Sequence, residues 1–303
     1  MGIRSRRLLS TAFLALSAAL ALGLSAAPAA SAQSASGDEL RGANYVYARP
    51  GGRTKGARPR AKYRRKSGKL EVPDLADARI GVTLWRAEAF EGVDRSGTRD
   101  VVQVGSKTSA WTLARVASDD QLDTGEMFRV GVETLRSGYL YVVNRSVRAD
   151  GSTGDPHLIY PTRRIRGGDN RVVAGRIMMI PTPPDEPPFQ ATDPYGDVVG
   201  EELIIVVSPE PLDIETREDR YRFDTAKLDV WLRDWSAPTE SFELVGGAGT
   251  FYTRIEKAAA TNPKRLLTTT EPLPQLVHRI AAKAGDPMLA RVVVRIRQPQ
   301  AKR

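Results

Sequence analysis

His157 and His278 are the only imidazole bases in this 303-residue chain, and it contains no cysteine. A Cys nucleophile, thiolate metal ligands and disulfides are therefore excluded. Hydrolysis would require a nucleophile within reach of one of the two histidines, with an acid orienting the ring. His157 follows a Gly-Asp-Pro turn at the start of an apolar run, and His278 lies inside a C-terminal apolar segment. No G-x-S-x-G elbow accompanies either one, so both read as surface or strand-packing histidines. A zinc site built on this pair would need a carboxylate as third ligand, and no H-E-x-x-H or comparable spacing occurs. Oxygen donors suited to calcium do occur: Asp150, Ser152, Asp155, Asp169 and Asn170 stand in neighbouring turns. Their spacing fits no EF-hand or nonapeptide repeat, and turn geometry accounts for Asp and Asn there. Gly246-Gly247-Ala248-Gly249-Thr250 lacks the Walker lysine, the full G-x-G-x-x-G spacing and a βαβ context, so it reads as a turn leading into a helix. No catalytic residue, cofactor or metal site is assigned on these grounds.

Basic side chains offer a different chemistry, the gripping of anions. Arg58, Arg60, Lys62, Arg64, Arg65 and Lys66 belong to a stretch, Arg41 to Lys69, that holds eleven Lys or Arg and no acid. Tyr45, Tyr47 and Tyr63 interleave with them, a pattern suited to single-stranded nucleic acid or another anionic polymer. Arg163, Arg164 and Arg166, with Arg171, surround a Gly-Gly-Asp-Asn turn and could hold phosphate or carboxylate groups. The basic charge is local. From Leu70 onward there are 31 basic and 34 acidic residues, a net of −3 against +9 for the whole chain. A basic protein built to bind nucleic acid is therefore not the expectation; a solvated or polymer-binding arm is.

The organisation that must carry these residues begins with an export signal. Arg4, Arg6 and Arg7 precede the apolar run Leu8 to Leu24, and Ala30-Ser31-Ala32 forms a small-residue cleavage site. Ser5-Arg6-Arg7-Leu8-Leu9 partly fits a twin-arginine signal, which leaves the export route open. No later segment approaches the roughly 20 apolar residues of a membrane-spanning helix. The expected compartment is the periplasm or the exterior, where envelope polymers and lipid headgroups are nearer partners than nucleic acid. Residues 33–78 combine few apolar residues with Gly, Pro and dense charge, the composition of a disordered basic linker.

From Ile80 the pattern turns to strands. Runs at 80–86, 99–104, 128–135, 139–147, 157–160, 172–180 and 202–207 are bounded by Gly, Asp, Asn and Pro turns, and Phe128, Val130 and Val132 alternate with polar neighbours. About seven short strands at this spacing predict a mainly β chain, a β-sandwich over 79–212. Residues 213–303 read as a mixed extension packing on that core. Asp224 is the expected N-cap of a short helix through Trp235, with Leu228, Trp231, Leu232 and Trp235 on one face. A second helix is expected within 250–260. Residues 273–284 fit helical spacing, yet 276–282 and 288–296 around Gly285-Asp286-Pro287 fit a C-terminal hairpin; a hairpin is the expectation. Trp85, Trp111, Trp231 and Trp235 are too scattered for a sugar-stacking platform, and Trp85 suits the core.

GYLYVVNR with ADGSTGDPHLIYPT, RGGDNRVVAGRIMMIP and GEELIIVVSPEPL, all within 125–212, resemble domain-of-unknown-function family 4384. GVTLWR at 81–86, GGAGTFYTRIEKAAA and LPQLVHRIAAKAGDPMLARVVVRI extend the resemblance to roughly 80–297. It implies a bacterial domain found alone behind an export signal or joined to signalling and protease-like domains, and it carries no catalytic residues over. The sequence therefore leads to an exported, non-enzymatic β-domain acting as a binding or interaction module in the envelope, its partner a protein or polymer. An atypical hydrolase, or a structural domain tethered to anionic polymer through residues 41–69, stands as the alternative.

Overall fold

A computed structural model describes residues 78–297, apart from 92–96, 105–106, 118, 183–185, 195, 245–247, 262–266 and 268–273. The expected signal, the arm up to residue 77 and its six candidate basic residues, Arg58 to Lys66, lie outside the described residues.

Two antiparallel sheets pack face to face. In the first, β1 (Arg79–Phe90) runs beside β5 (Met127–Thr134), from Ile80 opposite Thr134 to Ala87 opposite Met127. The other side of β1 is shared by β14 (Leu276–Ile280) and β3 (Lys107–Arg115). Outside these lie β13 (Thr239–Glu243) on β14 and β2 (Asp100–Val104) on β3. On the far edge of β5 stand β9 (Ile177–Ile180) and β10 (Phe189–Gln190). The second sheet is built on β6 (Gly138–Arg148), β11 (Val198–Ser208) and β15 (Met288–Ile296). Its margins are β7 (His157–Tyr160), β8 (Arg171–Val172), β12 (Tyr221–Arg222) and β4 (Gln121–Leu122), the last pairing parallel to β15.

Period-2 alternation fills the space between the sheets. Val82, Val130, Val142, Leu203, Ile205 and Val292 belong to one buried apolar cluster spanning both inner faces. The alternate residues are also largely apolar, because each outer face carries a helix. On the second sheet Tyr141, Val143, Ile204 and Val206 lie under α1 (Thr225–Asp234), which contributes Leu228 and Trp231. Asp224 caps α1 as expected, its side chain accepting from the backbone N–H groups of Ala226 at 2.8 Å and Lys227 at 3.2 Å. On the first sheet Trp85, Met179 and Tyr252 lie beneath α2 (Arg254–Thr261). Thr253 and Glu256 form its capping box: Thr253 Oγ1 accepts from Glu256 N at 3.1 Å, and Glu256 Oε2 accepts from Thr253 N at 2.9 Å.

The chain is mainly β, with two helices and both sheets of a sandwich among the described residues. Three details differ from expectation. Within 79–212 eleven strands are described rather than about seven, several of them only two residues long. The run 172–180 divides: β8 ends at Val172 in one sheet and β9 starts at Ile177 in the other, with the chain crossing through Gly175 at φ 75°. At the C-terminus both strands form, but they do not pair as a hairpin. β14 joins β1 and β13 while β15 joins β11 and β4, so the Gly285 turn carries the chain from one sheet to the other. Alternation fixes which face of a strand is buried and is silent about the neighbour. Residues 276–296 thus sit inside both sheets rather than in an extension packed outside them.

Candidate functional site

The inward side of the second sheet changes chemistry along its length. On β6 the buried Leu140 and Val142 are followed in phase by the half-buried Asn144, Ser146 and Arg148. On β11 Val207, Ile205 and Leu203 are followed by Glu201, which pairs opposite Ser146. The apolar sandwich therefore opens at one end into a polar mouth of about 350 Å3, bordered by His157 and Ile159 of β7, Thr192, Pro194 and Arg220. Gly154 closes one wall. A Cβ there would stand 2.3 Å from Ser146 Oγ, so any larger residue would have to turn the Ser146 hydroxyl away.

Glu201 is the central acid. Asn144 Nδ2 donates to its Oε2 at 2.9 Å. Burial raises its carboxyl above the ordinary glutamate range, opposed by the Asn144 hydrogen bond and the charge of Arg220. His157 Nδ1 lies 3.1 Å from the Asp155 carbonyl, and Asp155 in turn accepts from Arg222 at 2.9 Å. Arg148 reaches Asp197 at 3.5 Å. Asp193 Oδ1 accepts from the N–H groups of Asp197 and Val198 at 3.1 and 3.0 Å, which holds the 193–198 loop against the mouth. A partly desolvated carboxyl, an amide, a hydroxyl, an imidazole and a guanidinium face one opening. This set can hydrogen-bond a polar ligand from several directions.

The second histidine lies elsewhere. Ser241 on β13 stands opposite His278 on β14, with Oγ 2.9 Å from Nδ1. His278 is 5% exposed, and burial lowers its pKa, so the ring is neutral near pH 7. Its Nε2 has no hydrogen-bond partner. A hydrolytic triad uses that second nitrogen to receive the orienting acid; here the ring has a hydroxyl on one side and none of the described carboxylates on the other.

The arginines expected to share one anion grip are divided. Arg164 pairs with Asp219 at 2.5 Å and Arg166 with Asp169 at 3.0 Å. Arg163 is exposed, its backbone N–H bonded to Arg217 O at 2.8 Å, and Arg171 lies over the Tyr139 ring at 5.7 Å. The calcium-type donors serve turns and ion pairs. Asp150 accepts from Ser152 N at 2.8 Å, Asp169 from Arg171 N at 3.1 Å, and Asn170 donates to Leu140 O at 3.0 Å. Among the described residues, no group of three metal-ligating side chains is placed to hold an ion. Trp85 and Trp111 are core residues of the first sheet, and Trp231 stacks on Trp235 at 5.1 Å over the second.

Sequence reasoning missed the polar mouth, although its signal is present: in GYLYVVNRSVR and GEELIIVV the polar residues Asn144, Ser146 and Glu201 keep the inward phase of the apolar ones. It also missed the buried ion pairs on the outer faces. Arg129 joins Asp100 and two backbone carbonyls, those of Pro181 and Glu186, and Arg115 meets Glu256 at 2.8 Å. Glu202 accepts from Arg145 and Arg291, each at 2.6 Å. These partners lie far apart in sequence and have no local spacing. Compared with known proteins, the chain matches no family model, no curated protein and no solved structure.

Proposed function

We propose that this chain is an exported, non-enzymatic binding module of the bacterial envelope, related to domain-of-unknown-function family 4384, and that it takes a partner protein or polymer at the polar mouth of its sandwich. The observation that carries the reading is the change from apolar to polar chemistry at inward positions of β6 and β11, centred on Glu201. Burying a carboxyl costs stability unless hydrogen bonds and opposite charge offset it, and at Glu201 Asn144 and Arg220 offset only part. Immobilised mature chain should capture one partner from envelope extract, and Ser146→Trp, which fills the mouth, should abolish capture. The basic arm is a tether in this reading: a chain lacking residues 41–69 should capture the same partner yet lose retention on a polyanion column at low salt. Capture that needs the arm and ignores Ser146→Trp would replace the binding module with a tethered structural domain.

A hydrolase is the second reading, favoured by the 2.9 Å contact of Ser241 with His278. A fluorophosphonate probe should then label Ser241, with labelling lost in Ser241→Ala and His278→Gln. Absence of labelling removes this reading.

A further inference from the structure

We infer that the polar mouth takes a zwitterion, an amino acid or short peptide whose ammonium meets Glu201 and whose carboxylate meets Arg220. The inference rests on the mouth being the binding site and adds the chemistry of what enters it. Of the charged side chains lining the mouth, Arg148 and Asp155 are already paired, Arg148 with Asp197 at 3.5 Å and Asp155 with Arg222 at 2.9 Å. Glu201 and Arg220 are left. Glu201 accepts from Asn144 and forms no ion pair among the described residues. The Arg220 guanidinium, exposed just before β12, lines the same cavity and makes no hydrogen bond or ion pair with a described residue. Its charge is felt by Glu201 and by Glu186, yet it pairs with neither. One acid and one base thus face a shared opening of about 350 Å3 without meeting each other.

The acid end is rich in acceptors. Asn144 uses its Nδ2 on Glu201 Oε2, which leaves Asn144 Oδ1 and Glu201 Oε1 to accept. Ser146 stands directly opposite Glu201, and His157 opposite Asn144, so both border this end. The Asp155 carbonyl can only accept, so His157 Nδ1 carries the proton toward it, and Nε2 of the neutral ring is a further acceptor. An ammonium brings three donors and no acceptor, which suits this set. Burial holds the Glu201 carboxyl above its ordinary range in spite of Asn144 and Arg220, so a cation beside it is favoured. At the other end a guanidinium offers two parallel N–H donors to the two oxygens of a carboxylate. A purely anionic ligand would be repelled by Glu201 and a purely cationic one by Arg220. A ligand carrying both charges satisfies both, and the cavity has the size of a small-molecule site.

The test is an NMR titration of the 15N-labelled chain at fixed ionic strength with three matched probes: glycylglycine, N-acetylglycylglycine, which lacks the ammonium, and glycylglycinamide, which lacks the carboxylate. Glycylglycine should shift the backbone amides of Asn144, Ser146, His157 and Glu201 saturably, and each blocked probe should bind about tenfold or more weakly. Glu201→Gln keeps the shape of the side chain and should erase the preference for the free ammonium, so that glycylglycine and its acetylated form bind alike. Arg220→Gln should erase the preference for the free carboxylate in the same way. Absence of saturable shifts, equal affinity for the three probes, or preferences that survive both substitutions would overturn the inference. Silent dipeptides alongside envelope capture that Ser146→Trp abolishes would remove the zwitterion and leave the mouth as the partner's site. Dipeptide binding alongside capture indifferent to Ser146→Trp would uphold the zwitterion and remove the mouth as the partner's site.

Discussion

Arg129 shows how single residues hold this sandwich together. Its side chain is wholly buried on the outer face of the first sheet, where Asp100 supplies the charge and two carbonyls take the remaining donors. Burial lifts the Asp100 carboxyl above its ordinary range in spite of Arg129, a measure of how dry the pocket is. Arg129→Ala would leave Asp100 buried and unpaired, and should cost about 3–5 kcal/mol in denaturant unfolding. Changing both partners to apolar residues should cost much less. Glu201 behaves in the opposite sense, because its cost can be removed. Its folded pKa is raised, so below the ordinary value of 4.5 the carboxyl is protonated in both states and contributes no pH dependence. Above that value the unfolded chain ionises first, and the fold loses stability until the pH passes the raised folded value. Glu201→Gln should therefore match wild type at pH 4 and exceed it at pH 7 in thermal unfolding. For His278 the folded pKa is lowered, so its contribution is present above the ordinary value of 6.5 and declines as pH falls through the lowered folded value. His278→Phe should flatten that acid-side loss.

At the scale of elements, legibility follows locality. Helix α1 was readable because its N-cap and its Leu228/Trp231 face lie within one segment. Asp224→Ala should cost about 1 kcal/mol, and Trp231→Ala, which empties the contact with Tyr141 and Phe223, about 3–5 kcal/mol. The long strands β1, β5, β6 and β11 were readable from their apolar runs. Strands β4, β10 and β12, two residues each, show no period of their own and exist because a neighbouring edge offers hydrogen bonds. The strand β13 was hidden for another reason: Thr239–Glu243 is mostly exposed and polar, the composition of a protected edge.

For the whole molecule, the decisive fact is that β15, the last of the described strands, lies inside the core. β15 pairs with β11 along eight residue positions, Gly200 to Val207, and places Val292 and Val294 between the sheets. A chain stopped at Asp286 should show no cooperative thermal transition, whereas an outer extension would be removable at little cost. The candidate site is a property of this same assembly. Asn144, Ser146, Glu201, His157 and Arg220 come from four separated stretches, and only the sandwich brings them to one opening. Their residue types were visible in the sequence; their convergence depends on the pairing of β6 with β7 and β11, which no local spacing encodes.

The central claim is that this opening is where a partner binds. The direct measurement is a chemical-shift map of the 15N-labelled chain with its captured partner added. The claim predicts saturable shifts concentrated at Asn144, Ser146, His157 and Glu201, and lost in Ser146→Trp. Shifts confined to residues 41–69, or equal in Ser146→Trp, would contradict it.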